Sequence, residues 1–259
     1  QRKHLSMGLI LPANVTSQIF DPGNTFAMLM LQTGQDFYNE NQSATTFDTP
    51  AALEVFKTWT EFYTNYRFDK VYDAFSRFRT GEMPLVIQSY TFYNQLNVAA
   101  PEIKGLWDFA VVPGTVQSDG TISHAVNSAG SGAVIFNKVK NKEDAWTFIK
   151  WFTSTETQVE YGKTQEAVMG PMGRFDTANL EALPKLSWST SEYELIAAQQ
   201  AQLKEIPIIP ASYVVTRNVN NAFQSVINLN DNPRFVFTKF NEDINREIER
   251  KRKELGLDD

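Results

Sequence analysis

The sequence predicts an α/β protein, and three observations carry that expectation. Short apolar runs at Leu85-Val86-Ile87, Leu106 to Val112 and Ala133 to Phe136 have the length and continuity of buried strands. Between them lie stretches whose apolar residues keep helical spacing, clearest over 50–64 and 141–152. Turn signals such as Asp21-Pro22-Gly23-Asn24 and Pro113-Gly114 punctuate the two kinds of segment.

Taken in order, Thr25 to Gln32 (TFAMLMLQ) is apolar and reads as a buried helix ending at Gly34. Its methionines suit gap-filling in a core rather than a cofactor. Asn39 to Ser43 is a polar loop. A helix starts at Pro50, capped by Asp48 or Thr49, and Leu53, Phe56, Trp59, Thr60 and Tyr63 form its core face. Phe75 and Phe78, one turn apart, suit the buried side of a short helix that stops at Gly81. Leu85 to Ile87 then reads as a strand covered on both faces.

Straight after that strand come Ser89, Tyr90, Thr91, Phe92, Tyr93 and Asn94. Ligands of open α/β sheets collect beyond the carboxyl ends of strands. Two readings stand at this point. The rings and amides offer flat faces and hydrogen bonds to a ligand. Alternatively, Tyr90, Phe92 and Tyr93 begin the next helix and face a core.

Leu106 to Pro113 reads as a strand stopped by Pro113-Gly114, followed by a turn-rich excursion from Gln117 to Thr121. Asn127 to Gly132 is small, polar and glycine-rich, so backbone can approach a ligand closely there. No Lys-Ser/Thr follows the glycines, which excludes a phosphate loop. Asn141 caps the next helix, with Ala145, Phe148, Ile149 and Phe152 as its apolar stripe. A second helix, about Ser154 to Tyr161, is expected to close at Gly162, with Thr155 and Gln158 as a capping box. Trp188-Ser189-Thr190-Ser191 leads into a helix carrying Tyr193, Leu195, Ile196 and Leu203. Helices over Ser212 to Ile227 and about 238 to 254 complete the pattern, the last with (i, i+4) pairs Glu242–Arg246, Glu247–Lys251 and Glu249–Lys253.

Composition narrows the function. At 259 residues the chain can bury one large core or two small ones. Its net charge of −6, from 24 basic and 30 acidic residues, argues against a nucleic-acid partner. It has no cysteine, so no disulfide and no thiolate site. The longest apolar runs are too short to span a bilayer as a helix. The start, QRKHLSMGLILPANV, has an apolar run of Met7 to Leu11 only, so it is expected to be interior sequence of a longer protein. The two histidines, His4 and His124, stand in no metal-binding spacing, and neither a metal nor a cofactor is expected. There is no GxSxG, and nothing in the sequence flags a particular carboxylate pair of the glycosidase kind. What remains is binding chemistry: aromatics, amides, hydroxyls and glycines.

A family resemblance then becomes visible. The blocks that carry it are Gly34–Tyr38–Asn39, Phe47-Asp48-Thr49-Pro50-Ala51-Ala52, Phe78–Thr80-Gly81-Glu82-Met83, Val86–Ile87–Ser89-Tyr90, Val112-Pro113-Gly114 and Asn127–Gly132. The most specific runs from Asn141-Lys142-Glu143-Asp144-Ala145-Trp146 through Phe148 to Ser154. In this order they resemble the carboxy-terminal half of bacterial extracellular solute-binding proteins of the maltose-binding type, which serve ABC importers. Pro84, where that family usually has alanine, departs from the pattern, and Asn228–Phe237 has no clear counterpart.

The resemblance implies a type II periplasmic-binding-protein-like fold. Residues 1–125 and 181–259 would form mainly the carboxy-terminal lobe, and 126–180 the segment crossing to the amino-terminal lobe. It implies a non-enzymatic receptor that captures an extracellular solute, most often an oligosaccharide, for an ABC permease. The receptor would be extracellular or periplasmic, tethered as a lipoprotein, and the missing amino-terminal half of the same protein would be a further partner. Tyr90 matches the family's aromatic after the central strand, and Phe92 and Tyr93 stand beside it. Asn127 and Ser128 fall in the crossing loop, and Trp188 and Tyr213 in the region that supplies later cleft aromatics. The competing classes are a glycoside hydrolase and a non-catalytic carbohydrate-binding or adhesive module.

Overall fold

The computed structural model describes residues 7–8, 24–70, 72–128 and 132–257, with backbone alone at 7, 8 and 90. Positions 21–23 of the first turn signal and 129–131 of the glycine-rich stretch lie outside the described residues. The elements run β1 (Met7–Gly8), α1 (Thr25–Gln32), α2 (Pro50–Thr64), α3 (Ala74–Arg79), β2 (Leu85–Val86), α4 (Tyr90–Ala99), β3 (Thr115–Val116), β4 (Ile122–Ser123) and β5 (Val126–Asn127). Then follow α5 (Lys142–Phe152), α6 (Thr155–Met169), α7 (Thr190–Gln200), β6 (Leu203–Lys204), α8 (Ser212–Leu229) and α9 (Pro233–Glu254). The strands pair in twos: β1 with β2 and β5 with β6 parallel, β3 with β4 antiparallel. The α/β expectation holds, with helices dominant among the described residues.

The chain divides into two compact units: Gln1–Gln88 with Val112–Ala129 and Gln202–Asp259, and Ser89–Val111 with Gly130–Ala201. Ser89–Val111 clusters with the second unit because α4 packs on the turn at Gly170–Gly173. Residues up to Ala201 join it because Tyr93 of α4 is bonded to Glu192 of α7.

The first unit is held by an aromatic core. The side chain of Asn24 accepts from Ala27 N at 3.0 Å and starts α1, which is buried on nearly every side. Thr49, with Pro50 in the first turn, starts α2 as expected. Phe26 is fully buried and meets Phe37, Phe47, Phe56 and Phe237 edge-on. Phe56 stacks on Phe237 of α9 at 4.4 Å, and Trp59 on Phe223 of α8 at 4.0 Å. Gln32, 1% exposed, ties the β3–β4 hairpin down: its amide donates to Pro113 O at 2.9 Å and accepts from Thr115 Oγ1 at 2.8 Å.

Several strand expectations fail. Leu85, read as covered on both faces, is 63% exposed in β2. Leu106 to Pro113 and Ala133 to Phe136 take no strand pairing among the described residues, and Phe136 is 74% exposed. An apolar run becomes a strand only when a neighbour accepts its ladder of hydrogen bonds, and none of the described strands does.

In the second unit α4 and α6 each pack on the 3₁₀ turn at Gly170–Gly173, and Leu96, Ala182 and Leu183 are buried. Helix α6 runs on through Gly162, so that glycine is not the stop read from the sequence. A Cβ there would lie 2.7 Å from Leu186 Cδ2, and the glycine serves a close approach instead. The helix is capped by Ser154, not by Thr155. In α5, Asn141 caps as expected, accepting from Asp144 N at 3.1 Å. Its apolar stripe is only partly covered: Phe148 and Phe152 are 59% and 37% exposed, Ala145 and Ile149 are half-buried, and the neighbouring Trp146 and Trp151 are 54% and 57% exposed. Phe148 and Phe152 stack with each other, their rings 6.1 Å apart, so the stripe is ordered as a ladder without being buried.

Candidate functional site

Of the seven sequence-predicted residues, the structure brings two together. Tyr93 projects from the second turn of α4, and Trp188 stands two residues before α7; their rings are 5.6 Å apart. Trp107 and Phe109 come from the extended segment after α4 and meet the Tyr93 ring nearly edge-on, at 5.5 and 5.6 Å. All four rings are half-buried, which leaves ring surface available to a ligand while the rest is fixed by packing.

Arg174 closes the glycine-proline loop after α6 and lies over two of these rings, its guanidinium carbon 5.4 Å from the Trp188 ring and 5.7 Å from the Tyr93 ring. Its Nε donates to Glu166 Oε1 at 3.0 Å, and its Nη1 donates to the Tyr93 hydroxyl at 3.0 Å. That hydroxyl in turn donates to Glu192 Oε1. Asn94, buried on α4, donates its amide to Arg174 O at 3.1 Å and holds the loop backbone in place. One chain of bonds thus runs Glu166–Arg174–Tyr93–Glu192.

Glu192 is held twice. Its other oxygen accepts from Ser189 N at 2.9 Å, while Ser189 Oγ accepts from Glu192 N, the reciprocal capping box of α7. Burial alone would raise the Glu192 carboxyl. The bonds from Tyr93 and Ser189 and the Arg174 charge outweigh it and hold the carboxyl below its ordinary value. The Tyr93 phenol is pushed up, by burial first and then by the Glu192 carboxylate. Burial works against the Arg174 charge, but its bonds to Glu166 and Tyr93 hold it firmly cationic.

The other sequence-predicted residues are placed as follows. Tyr90 is the first residue of α4, and its side chain is outside the described residues. Phe92 is half-buried on the same helix. Asn127 and Ser128 belong to the first unit: Asn127 is 1% exposed in β5, and the Ser128 amide donates to Lys204 O at 3.0 Å. Tyr213, also of the first unit, is 52% exposed on α8 and donates to Glu247 Oε1 at 2.6 Å. Bonds from Arg250 and Tyr213 bring that carboxyl down to about 2.

The sequence reading missed Trp107, Phe109, Glu166, Arg174 and Glu192. Trp107 and Phe109 alternate, so an extended segment puts both rings on one side. Arg174 is the single cation of the AVMGPMGR loop, and Glu192 sits at the third helical position after Ser189. Those signals were present, but none of them tells which partner meets which.

Among the described residues no group of three or more His, Asp and Glu could hold a metal ion. No described helix is long and apolar enough to cross a membrane.

The family described as bacterial extracellular solute-binding protein matches residues 11–186. The chain is similar to the sugar-binding protein MalE of Xanthomonas citri: TM-score 0.75 at 15% identity, over 98% of this chain and 61% of that one. It is similar to an ABC transporter solute-binding protein of Thermotoga lettingae bound with α-D-tagatose: TM-score 0.71 at 17% identity, over 94% of this chain and 59% of the other. It is similar, too, to the maltose/maltodextrin-binding domain MalE of Bdellovibrio bacteriovorus bound to maltotriose, with TM-score 0.64, 18% identity, and coverage of 94% and 60%. The chain therefore spans about three fifths of the length of these structures, and the likeness fixes its fold as that of type II periplasmic binding proteins. No curated protein matches it.

Proposed function

We propose that this chain, which belongs to the bacterial extracellular solute-binding protein family, binds a saccharide and delivers it to the membrane permease of an ABC importer. The observation that carries the reading is the Tyr93–Trp107–Trp188 ring cluster with the Arg174 guanidinium lying on it. Half-buried rings offer faces to the C–H surface of a sugar, and the guanidinium and carboxylates reach its hydroxyls. Tyr90, Phe92, Asn127, Ser128 and Tyr213 stay in the reading as further contacts of the complete receptor.

The reading makes the chain a binder rather than an enzyme. A glycosidase acid needs a carboxyl raised toward neutral pH. Glu192, the carboxyl bonded to the Tyr93 hydroxyl, is shifted the other way. The receptor works outside the cytoplasmic membrane, held there by a lipid anchor. Its remaining part covers the aromatic ladder of α5, since faces of that size are rarely left open. In this reading residues 1–125 and 181–259 form mainly the carboxy-terminal lobe, and 126–180 the segment crossing to the amino-terminal one.

The test is a thermal-shift screen of the receptor against mono- and oligosaccharides, since a ligand that binds only the folded state raises Tm. Hits are expected among the sugars, and Trp188→Ala should weaken them by roughly tenfold to a hundredfold, the loss of a stacked ring. A receptor that responds to amino acids or peptides and to no sugar would refute the reading.

A further inference from the structure

We infer that the Arg174 site selects neutral, hydroxylated sugar rings and rejects carboxylated ones, and that Glu166 is the residue that sets this preference. The inference rests on the saccharide reading above. An arginine beside aromatic rings, taken alone, is the usual receptor for a carboxylate or phosphate, because its planar fork matches two anionic oxygens. Here that fork is already engaged. Glu166 takes the Nε–H at 3.0 Å, with both side chains only 21% exposed. The Tyr93 oxygen takes an Nη1–H at 3.0 Å, so each of the two bidentate edges of the guanidinium, Nε/Nη2 and Nη1/Nη2, already has one of its donor atoms engaged.

Charge points the same way. Around the Tyr93 hydroxyl stand one cation, Arg174, and two carboxylates, Glu166 and Glu192. The local sum is one negative charge in a half-buried place, where solvent screens it incompletely. A ligand carboxylate brought against these rings meets net repulsion. A neutral hydroxyl does not, because it both donates and accepts. The guanidinium N–H groups that neither Glu166 nor Tyr93 takes have no acceptor among the described residues. They can donate to hydroxyl oxygens, while the carboxylate oxygens accept from hydroxyl hydrogens. The Trp188 and Trp107 faces supply stacking that is indifferent to charge. The pattern is that of a site for a neutral pyranose or furanose, with Glu166 as the positioning residue that consumes the anion-binding capacity of Arg174.

The test uses the complete receptor polypeptide that contains this chain. Thermal shift and calorimetry are run with neutral gluco-, xylo-, manno- and galacto-oligosaccharides and with oligoglucuronates and oligogalacturonates of matching length. The expected result is binding from the neutral set, with each uronate weaker than its neutral counterpart by on the order of tenfold or more. That ratio should shrink as sodium chloride is raised, since screening weakens the repulsion. Glu166→Gln should bring the ratio close to one, because it removes one of the two negative charges at the site while its amide oxygen can still accept from Arg174. A uronate that binds the unaltered receptor more tightly than its neutral counterpart overturns the inference and leaves the saccharide reading standing. A ratio unmoved by both salt and Glu166→Gln overturns it equally, and the salt series decides alone if that variant does not fold. Silence from both sugar sets would instead remove the saccharide reading and this inference with it.

Discussion

Tyr93→Phe isolates the hydroxyl at the centre of the bond chain. The ring, with its contacts to Trp107, Phe109 and Trp188, stays in place. Two bonds are lost, one accepted from Arg174 Nη1 at 3.0 Å and one donated to Glu192. Hydrogen bonds to charged groups are worth about 1.5–3 kcal/mol each in protected sites. Here the Arg174 side chain is 21% exposed and water can partly replace what is lost. The expected cost is therefore about 1–2 kcal/mol for the pair of bonds, not twice the protected value. Glu192→Gln supplies the second edge of a double-mutant cycle, because glutamine at the same position can still close the capping box with Ser189. The coupling between the two substitutions should be about 1 kcal/mol, as for residues in direct contact. The assay is urea unfolding followed by far-UV circular dichroism, with m compared across the four proteins. A coupling below about 0.3 kcal/mol, the additive limit, would show that the hydroxyl does not bridge the two charges. A single-variant loss above about 4 kcal/mol would mean the ring itself had moved, as in a large core truncation.

The remaining predictions concern packing and pH. Phe56→Ala should cost about 3–5 kcal/mol, because its fully buried ring stacks on Phe237. Phe148→Ala should cost under about 1 kcal/mol in this chain, since its ring is 59% exposed, and denaturant titrations of the two variants side by side check both numbers. Gln32→Ala should lose about 1–3 kcal/mol and loosen the β3–β4 hairpin, read as faster amide exchange around Thr115 to Ser123. The Glu192 carboxyl is held below its ordinary value of 4.5, so its stabilisation is complete above 4.5 and is lost as pH falls through the lower folded-state value. Glu192→Gln should flatten that acid limb in a pH series of melts. At the alkaline end, burial pushes the Tyr38 and Tyr72 phenols up to about 12. Their contribution is whole below the ordinary value of 10.0 and fades as pH rises toward 12, which phenolate absorbance should track together with unfolding.

What the sequence determined by itself is local. Helix α2 begins at Pro50 behind Thr49, and α5 begins behind Asn141, because caps and first-turn residues act over a few positions. Phe56 and Trp59 go to the core because helical spacing puts them on one face with other apolar residues. The order of short motifs also carried the family. Tertiary structure decided the rest, since each remaining question depends on a partner far along the chain. Val134, Phe136 and Phe148 have the composition of core, yet each stays more than half exposed among the described residues, and apolar character cannot reveal whether cover exists. Gly162 reads as a helix stop, but a glycine is also what close packing requires, and Leu186 lies 24 residues away. Tyr93 and Trp188 were singled out separately, and Arg174 with its two glutamates was not singled out at all. Those side chains come from four segments between positions 93 and 192, and only the folding of α4, α6, the glycine loop and α7 onto one another makes them a site.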